Sequence, residues 1–259
     1  MRALFLSLRS EFYKSRKTLA FWAAIVLPLV ICSLIAFGFF NQSEKMTKVP
    51  IPAEALWMLY SSSALGVMGM LILPFYVIFM AFSVNNIEHK NDTWKMLFVQ
   101  PLSKFSIYSA KYLYAVLLIF ICLLLFMALT YLSANLLSLL DSRFTFNQYN
   151  PLEMLSKIYA RLFLASLGIL SLQFIISLVW GDFLKPMGIG FIAVIAGIIT
   201  ASKGWEYAYL IPHGHPLMVL TGAKGKDVAF FTTEIYSSLI YATIFFLLGY
   251  LIVSRKSVK

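Results

Sequence analysis

Charge is scarce in this chain: of 259 residues only 12% are Asp, Glu, Lys or Arg, while 61% are apolar. Ordinary soluble domains carry about 25% charge and roughly 45–50% apolar residues, so a water-soluble globular protein is excluded. Acids are the scarcest, 11 against 21 Lys and Arg, for a formal net charge of +10. A basic excess can serve nucleic acid. Here, however, the 16% of residues that are aromatic lie inside apolar runs and the basic residues cluster between those runs, which is membrane patterning and argues against a nucleic-acid partner. Cysteine is nearly absent. Cys32 and Cys122 both sit within apolar runs, so neither a disulfide framework nor a Cys-rich zinc site can be built.

Catalytic signatures are missing too. There is no H-E-x-x-H, no G-x-S-x-G and no pair of intramembrane acids, so catalysis by this chain alone is not expected. There is no G-x-x-x-x-G-K-[ST] either, since Gly225-Lys226 is followed by Asp227; any nucleotide must bind another chain. His213 and His215 invite a metal, but no acid or Cys stands close to them and the Pro-His-Gly-His-Pro order reads as turn chemistry. The expectation is a chain with no catalytic residue, no metal and no cofactor of its own.

What is present is length. Six apolar stretches, 18–40, 57–83, 112–140, 162–180, 187–202 and 235–253, approach or exceed the roughly 20 residues needed to cross a hydrocarbon core of about 30 Å. The fifth is the shortest, about 24 Å as a helix, and residues from Phe183 onward can add a turn. The third must tilt or project. Pro28 and Pro74 should bend the first and second, because neither supplies a backbone donor. The first run is too long for a signal-peptide core and no A-x-A site follows it, so it reads as an anchor. The fold class is an all-α integral membrane protein of six transmembrane helices, one membrane domain over 1–259.

Six crossings return the chain to its starting side, and the basic residues say which side that is. Thirteen Lys and Arg fall with the termini, the 84–111 loop and Lys185, and eight fall opposite; with acids counted the two sides carry +9 and +1. By the positive-inside rule both termini are cytoplasmic. Residues 1–17 group Met1, Leu4, Phe5, Leu8 and Phe12 on one face with Arg2, Arg9 and Arg16 along its border, describing an elbow helix in the inner interface; a disordered basic tail is the alternative.

The longest inner segment holds Glu88, Thr93, Trp94, Met96, Leu97, Phe98 and Pro101. Asp92 can cap a helix over 93–99, Pro101 stops it, and Ser103 can cap the next, giving a helix–break–helix turn. Its apolar side chains must lie either in lipid headgroups or in a partner. On the outer side three modest loops occur, and the last, around Ile211 to Pro216, should hug the membrane as re-entrant or interfacial segments. Arg161 and Glu234 at outer span ends read as snorkelling or a local ion pair. Small residues recur every four positions at Ser62 and Gly66 in the second span and at Ala193, Gly197 and Ala201 in the fifth, fitting either a subunit interface or packing within the chain.

Taken in order, Ser10-Glu-Phe-Tyr-Lys-Ser-Arg-Lys17, then Glu88…Thr93-Trp94…Gln100-Pro101-Leu-Ser-Lys104…Lys111, then Leu172-Gln-Phe-Ile-Ile-Ser177…Lys185-Pro-Met-Gly-Ile-Gly190 resemble the permease subunits of type-2 ABC exporters over nearly the whole chain. The resemblance implies a bacterial plasma-membrane permease that pairs with a second permease copy or a close paralogue and with two separate ATPase subunits holding ATP and Mg. It implies export of an amphipathic or hydrophobic substrate such as an antimicrobial peptide of the lantibiotic or bacitracin type, a drug or a lipid. Glu88, Thr93, Trp94, Leu97, Phe98 and Pro101 would form the coupling helix, and the first, second and fifth spans the pathway or dimer seam, with Ser62, Gly66, Ala193, Gly197, Thr200 and Ala201. One departure is Gly181-Asp182, where the family runs more basic. A scaffold or sensor subunit, or a secondary transporter, are the competing readings.

Overall fold

The computed structural model describes residues 2–46, 51–91, 93–99, 101–222 and 229–255, with the backbone alone for Arg2, Lys45, Met46, Lys95 and Phe98. Every regular element among them is helical. In order they are α1 (Arg2–Ser15), α2 (Leu19–Asn41), α3 (Ser43–Met46), α4 (Ala53–Val67), α5 (Leu73–Lys90), α6 (Trp94–Val99), α7 (Lys104–Leu140), α8 (Leu152–Val179), α9 (Leu184–Ser202), α10 (His215–Thr221) and α11 (Thr233–Arg255), with short 3₁₀ turns in the connections. Six helical stretches are long and apolar enough to cross a bilayer: α2, the continuous α4–α5 rod, α7, α8, α9 and α11. The chain is a multi-pass membrane protein.

Local chemistry explains the boundaries. The Thr18 hydroxyl accepts from Phe21 N and starts α2, and the Ser103 hydroxyl accepts from Ser106 N and starts α7, as a short side-chain acceptor does at an N-cap. Pro28 lies inside α2, whose helix continues through it. At Pro74 the expected interruption takes a specific form, a π-helical turn over Met68–Ile72 that joins α4 to α5. Gly69 in that turn faces Leu220 of α10, a contact so close that a Cβ there would meet Leu220 Cδ1. The helices run past the apolar limits of their spans at several ends, in the last turn of α5 from Glu88 to Lys90 and in the first turns of α7 from Lys104 to Lys111 and of α8 from Leu152 to Arg161.

Packing places α7, α8 and the α4–α5 rod in the centre, with α2 along α7 and α11 along α8, while α2, α9 and α11 leave large apolar faces exposed. Lipid supplies little hydrophobic drive between helices, so close backbone approach and hydrogen bonds must hold the bundle. Both occur. Gly168 of α8 donates its N–H to Ser238 Oγ of α11 at 2.9 Å. Gly197 of α9 meets Gly214, where a Cβ would lie 2.5 Å from Gly214 N. The segment from Pro212 to Val219 is therefore inserted among α8, α9 and α11, and His213 reaches Gln173 of α8, their Nε2 atoms 3.2 Å apart. His215 Nε2 pairs with Tyr209 O at 2.8 Å.

One end of the bundle gathers α1, α6, the α8–α9 connection and the end of α11, where Lys104 Nζ donates to Ser254 O at 3.0 Å. We call this the elbow end.

Candidate functional site

α1 is a helix, but the face it buries is not its apolar one. Ser7, Glu11 and Ser15, four residues apart, form the buried stripe, while Phe5, Leu6, Phe12 and Tyr13 remain exposed. The reason is the partner surface. α1 lies against α7 and α5, and Lys111 of α7 is completely enclosed there. Lys111 Nζ donates to Glu11 Oε2 at 2.8 Å, to Val84 O at 3.3 Å and to Glu88 Oε2. These three contacts match the three protons of the ammonium. Lys14 Nζ closes the figure, 3.1 Å from Glu11 Oε1 and 3.0 Å from Glu88 Oε1. Two carboxylates and two ammoniums thus form a neutral ring across α1, α5 and α7. Burial opposes the charged form of Lys14, yet Glu11 and Glu88 outweigh it and hold its pKa above the ordinary lysine value.

α6 is built on this ring. Thr93 N donates to Glu88 O at 3.0 Å, and Leu97 N donates to Thr93 O at 3.0 Å, so the short helix starts from the last turn of α5. The Trp94 ring lies 5.6 Å from Lys111 Nζ and 5.7 Å, edge-on, from the His89 ring. His89 Nε2 sits 3.1 Å from Ser177 O of α8, and Gly181 packs so tightly on the His89 ring that a Cβ would approach it to 2.9 Å. The Gly181-Asp182 departure thereby acquires a reason: a larger residue would not fit beneath His89. Asp92, expected to cap α6, and the Phe98 side chain lie outside the described residues.

Glu88 is 1% exposed and committed to Lys14 and Lys111. One expectation is corrected: Trp94 is left neither to headgroups nor to a partner but is half-buried and turned into the bundle, and among the described side chains of α6 the outward apolar ones are Met96 and Val99, 69% and 71% exposed. Leu97 and Thr93 are half-buried, and Pro101 is exposed in the break before α7. Glu11, Lys14 and Lys111 were not singled out from sequence as site residues, although the Ser7–Glu11–Ser15 repeat was a usable signal.

The small-residue stripes separate. Ser62 and Gly66 are exposed, and a Cβ on Gly66 would meet nothing within 4 Å. Gly197 faces its own chain, at Gly214, so its close approach belongs to packing within the chain. Ala193 is half-buried, and the Thr200 hydroxyl donates to Ala196 O at 2.8 Å. The stripes therefore do not meet each other. Between the first, second and fifth spans runs a wholly apolar crevice of about 390 Å³, walled by Ala23, Leu27, Ile72, Phe75, Phe79 and Met187 among others.

Six apolar spans, an amphipathic elbow and a short helix anchored behind them are now joined by one decisive match: residues 7–197 fit the family described as ABC-2 family transporter protein. The chain belongs to the ABC-2 transporter family. No curated protein and no solved structure matches it. The match covers α1 through most of α9, hence both the elbow-end ring and the apolar crevice. Membership makes the chain a permease of an ABC exporter, in a family that works with ATPase partners.

Proposed function

We propose that this ABC-2 permease is half of the membrane part of an ATP-driven exporter in a bacterial plasma membrane, with both termini cytoplasmic. Two copies, or one copy and a paralogue, dock two separate ATPases that bind ATP and Mg. α6 is the coupling helix. The observation that supports this reading is the buried Glu11–Lys14–Glu88–Lys111 ring: it ties α6 to the elbow helix and to α5 and α7 at once. A push on Met96 and Val99 from an ATPase is then delivered to three helices together. A merely interfacial helix has no need of such an anchor. Burying one large side chain in a partner groove contributes roughly 1.5–3 kcal/mol, so two exposed apolar residues suffice for a reversible dock.

The cargo is amphipathic or hydrophobic: an antimicrobial peptide of the lantibiotic or bacitracin type, a drug or a lipid. Support comes from the apolar crevice on α2, α5 and α9, which offers no charged wall to a polar solute. Ser62 and Gly66, open on α4, are the surface offered to the second permease copy.

The test is reconstitution of the permease with its ATPase in nanodiscs. Hydrolysis should require both chains and respond to an added amphipathic peptide. Purification of a stable chain with no ATPase copurifying from its native membrane would instead favour the scaffold reading. Orientation is tested separately by labelling single cysteines from outside, which should reach position 147 and not position 90.

A further inference from the structure

The end of the bundle away from α1 holds a second buried charge, and it is poorly satisfied. Arg161 of α8 is 2% exposed, so it does not snorkel to water. Its Nη2 lies 3.6 Å from Glu234 Oε1 and 3.4 Å from Thr232 Oγ1, both longer than the roughly 2.7–2.9 Å of a charge-assisted bond. Its Nε has no partner among the described residues. Glu234 itself is drawn toward Thr232, whose hydroxyl donates to Oε1 at 2.5 Å. A buried guanidinium with five donors and two long contacts is destabilising unless something else completes it.

Beside it is space. A cavity of about 390 Å³ is lined by Arg161, Glu234, Thr232 and Thr221 on its polar side and by Trp205 and Met218 on its apolar side. This is the low end of the range of small-molecule sites, enough for a headgroup-sized ligand and too little for a peptide. The signs decide the chemistry. A simple anion drawn to Arg161 would be repelled by Glu234, and a simple cation would suffer the reverse. A group carrying both charges a few ångströms apart satisfies both, with its ammonium at Glu234 on the side of the cavity that Trp205 also lines.

We propose that this cavity binds a phosphate–ammonium zwitterion, either the headgroup of a phosphoethanolamine lipid or a soluble molecule of the same chemistry. Arg161 holds the phosphate and Glu234 the ammonium. Binding itself does not rest on the exporter reading, although that reading puts the site at the outer face, away from the ATPases.

The full-length chain in detergent is titrated by calorimetry with dihexanoyl phosphatidylethanolamine, dihexanoyl phosphatidylglycerol and free phosphoethanolamine. The zwitterionic lipid should bind at least tenfold tighter than the anionic one. Arg161→Gln and Glu234→Gln should each weaken it tenfold or more. Thr221→Trp, an exposed change that fills the mouth and leaves the ion pair intact, should weaken it equally without lowering the melting temperature, and decides the matter if the buried variants do not fold. Free phosphoethanolamine binding as tightly as the lipid would support the site with a soluble source; binding of the lipid alone would support it with a membrane source. Equal affinity for the two lipids, or unchanged binding in Thr221→Trp, would overturn the proposal.

Discussion

The two ends of the bundle each bury charge, and they handle it differently. At the elbow end two carboxylates and two ammoniums close a neutral ring, and every donor of Lys111 is used, two within the ring and one on Val84 O. At the other end one guanidinium faces one carboxylate at 3.6 Å beside a cavity. Burying ions is unfavourable unless geometry and valence are complete. The complete cluster behaves as a structural joint, moving three helices as one piece; the incomplete one leaves attraction unspent and room to use it. Burial alone therefore does not mark a binding site. Burial with missing partners and adjacent space does.

The largest effect should come from opening the ring. Lys111→Met leaves Glu11 and Glu88 buried with Lys14 alone, and removing one partner of a buried pair costs ~3–5 kcal/mol. The expected result is a strong fall in thermal stability in detergent and loss of ATPase stimulation, with Lys111→Arg, which keeps the positive charge between Glu11 and Glu88, retaining part of both. Arg161→Gln should lower stability distinctly less, because its contacts are already long. Equal losses at the two ends would mean that the complete and incomplete clusters do not differ in strength.

Next in size is the glycine contact that seats the inserted Pro212–Val219 segment. Gly197→Leu would drive a side chain into Gly214 N, where even a Cβ lies at 2.5 Å. Overpacking of this kind costs roughly 1–3 kcal/mol. Since the contact is within the chain, melting should fall while permease pairing, read by cross-linking, persists. Loss of pairing with unchanged melting would return Gly197 to the dimer interface.

Most of the fold was legible because lipid imposes a simple code. Span number, the Ser103 cap, the short helix near 93–99 and the elbow all follow from run length, capping and periodicity. The candidate site was legible only in part. Glu88 and Trp94 were named, but their tie to Lys111 was not, since it depends on Lys111 meeting α1 from 100 residues away in sequence. On the elbow, Phe5 and Phe12 stay exposed as an interfacial face requires, and what periodicity left out was the polar Ser7–Glu11–Ser15 stripe that packs on the protein. The π turn at Met68–Ile72 was foreshadowed by Pro74 alone.

A smaller effect should distinguish anchor from contact within α6. Met96→Ser with Val99→Ser removes only outward apolar surface. The permease should melt as before and bind its ATPase roughly a hundredfold more weakly, since two docked side chains contribute about 3 kcal/mol and each 1.4 kcal/mol is tenfold. Trp94→Ala, by contrast, should lower both melting and coupling, because the ring packs on His89 and Lys111. A double serine variant with full ATPase affinity would make α6 a membrane-surface helix.

The smallest effect tests a charge pair outside both buried clusters. After α7, Arg143 donates through its backbone N and its guanidinium to Asp141, and these hydrogen bonds lower the Asp141 pKa from 3.8 to about 2. A carboxylate whose folded pKa is depressed stabilises the fold fully above its ordinary value and loses that contribution as pH falls through the folded one. The loss should therefore fall between about pH 4 and pH 2. It should be slight, because an exposed pair is weakened by solvent and salt. Arg143 also donates to Ser43 Oγ at 2.9 Å, so the pair fastens the turn after α2 to the turn after α7. Arg143→Gln should flatten the acid limb of a melting-temperature profile over that interval and leave the neutral value nearly unchanged. A variant that instead melts much lower at pH 7 would show that this surface pair, and not only the two buried clusters, carries the architecture.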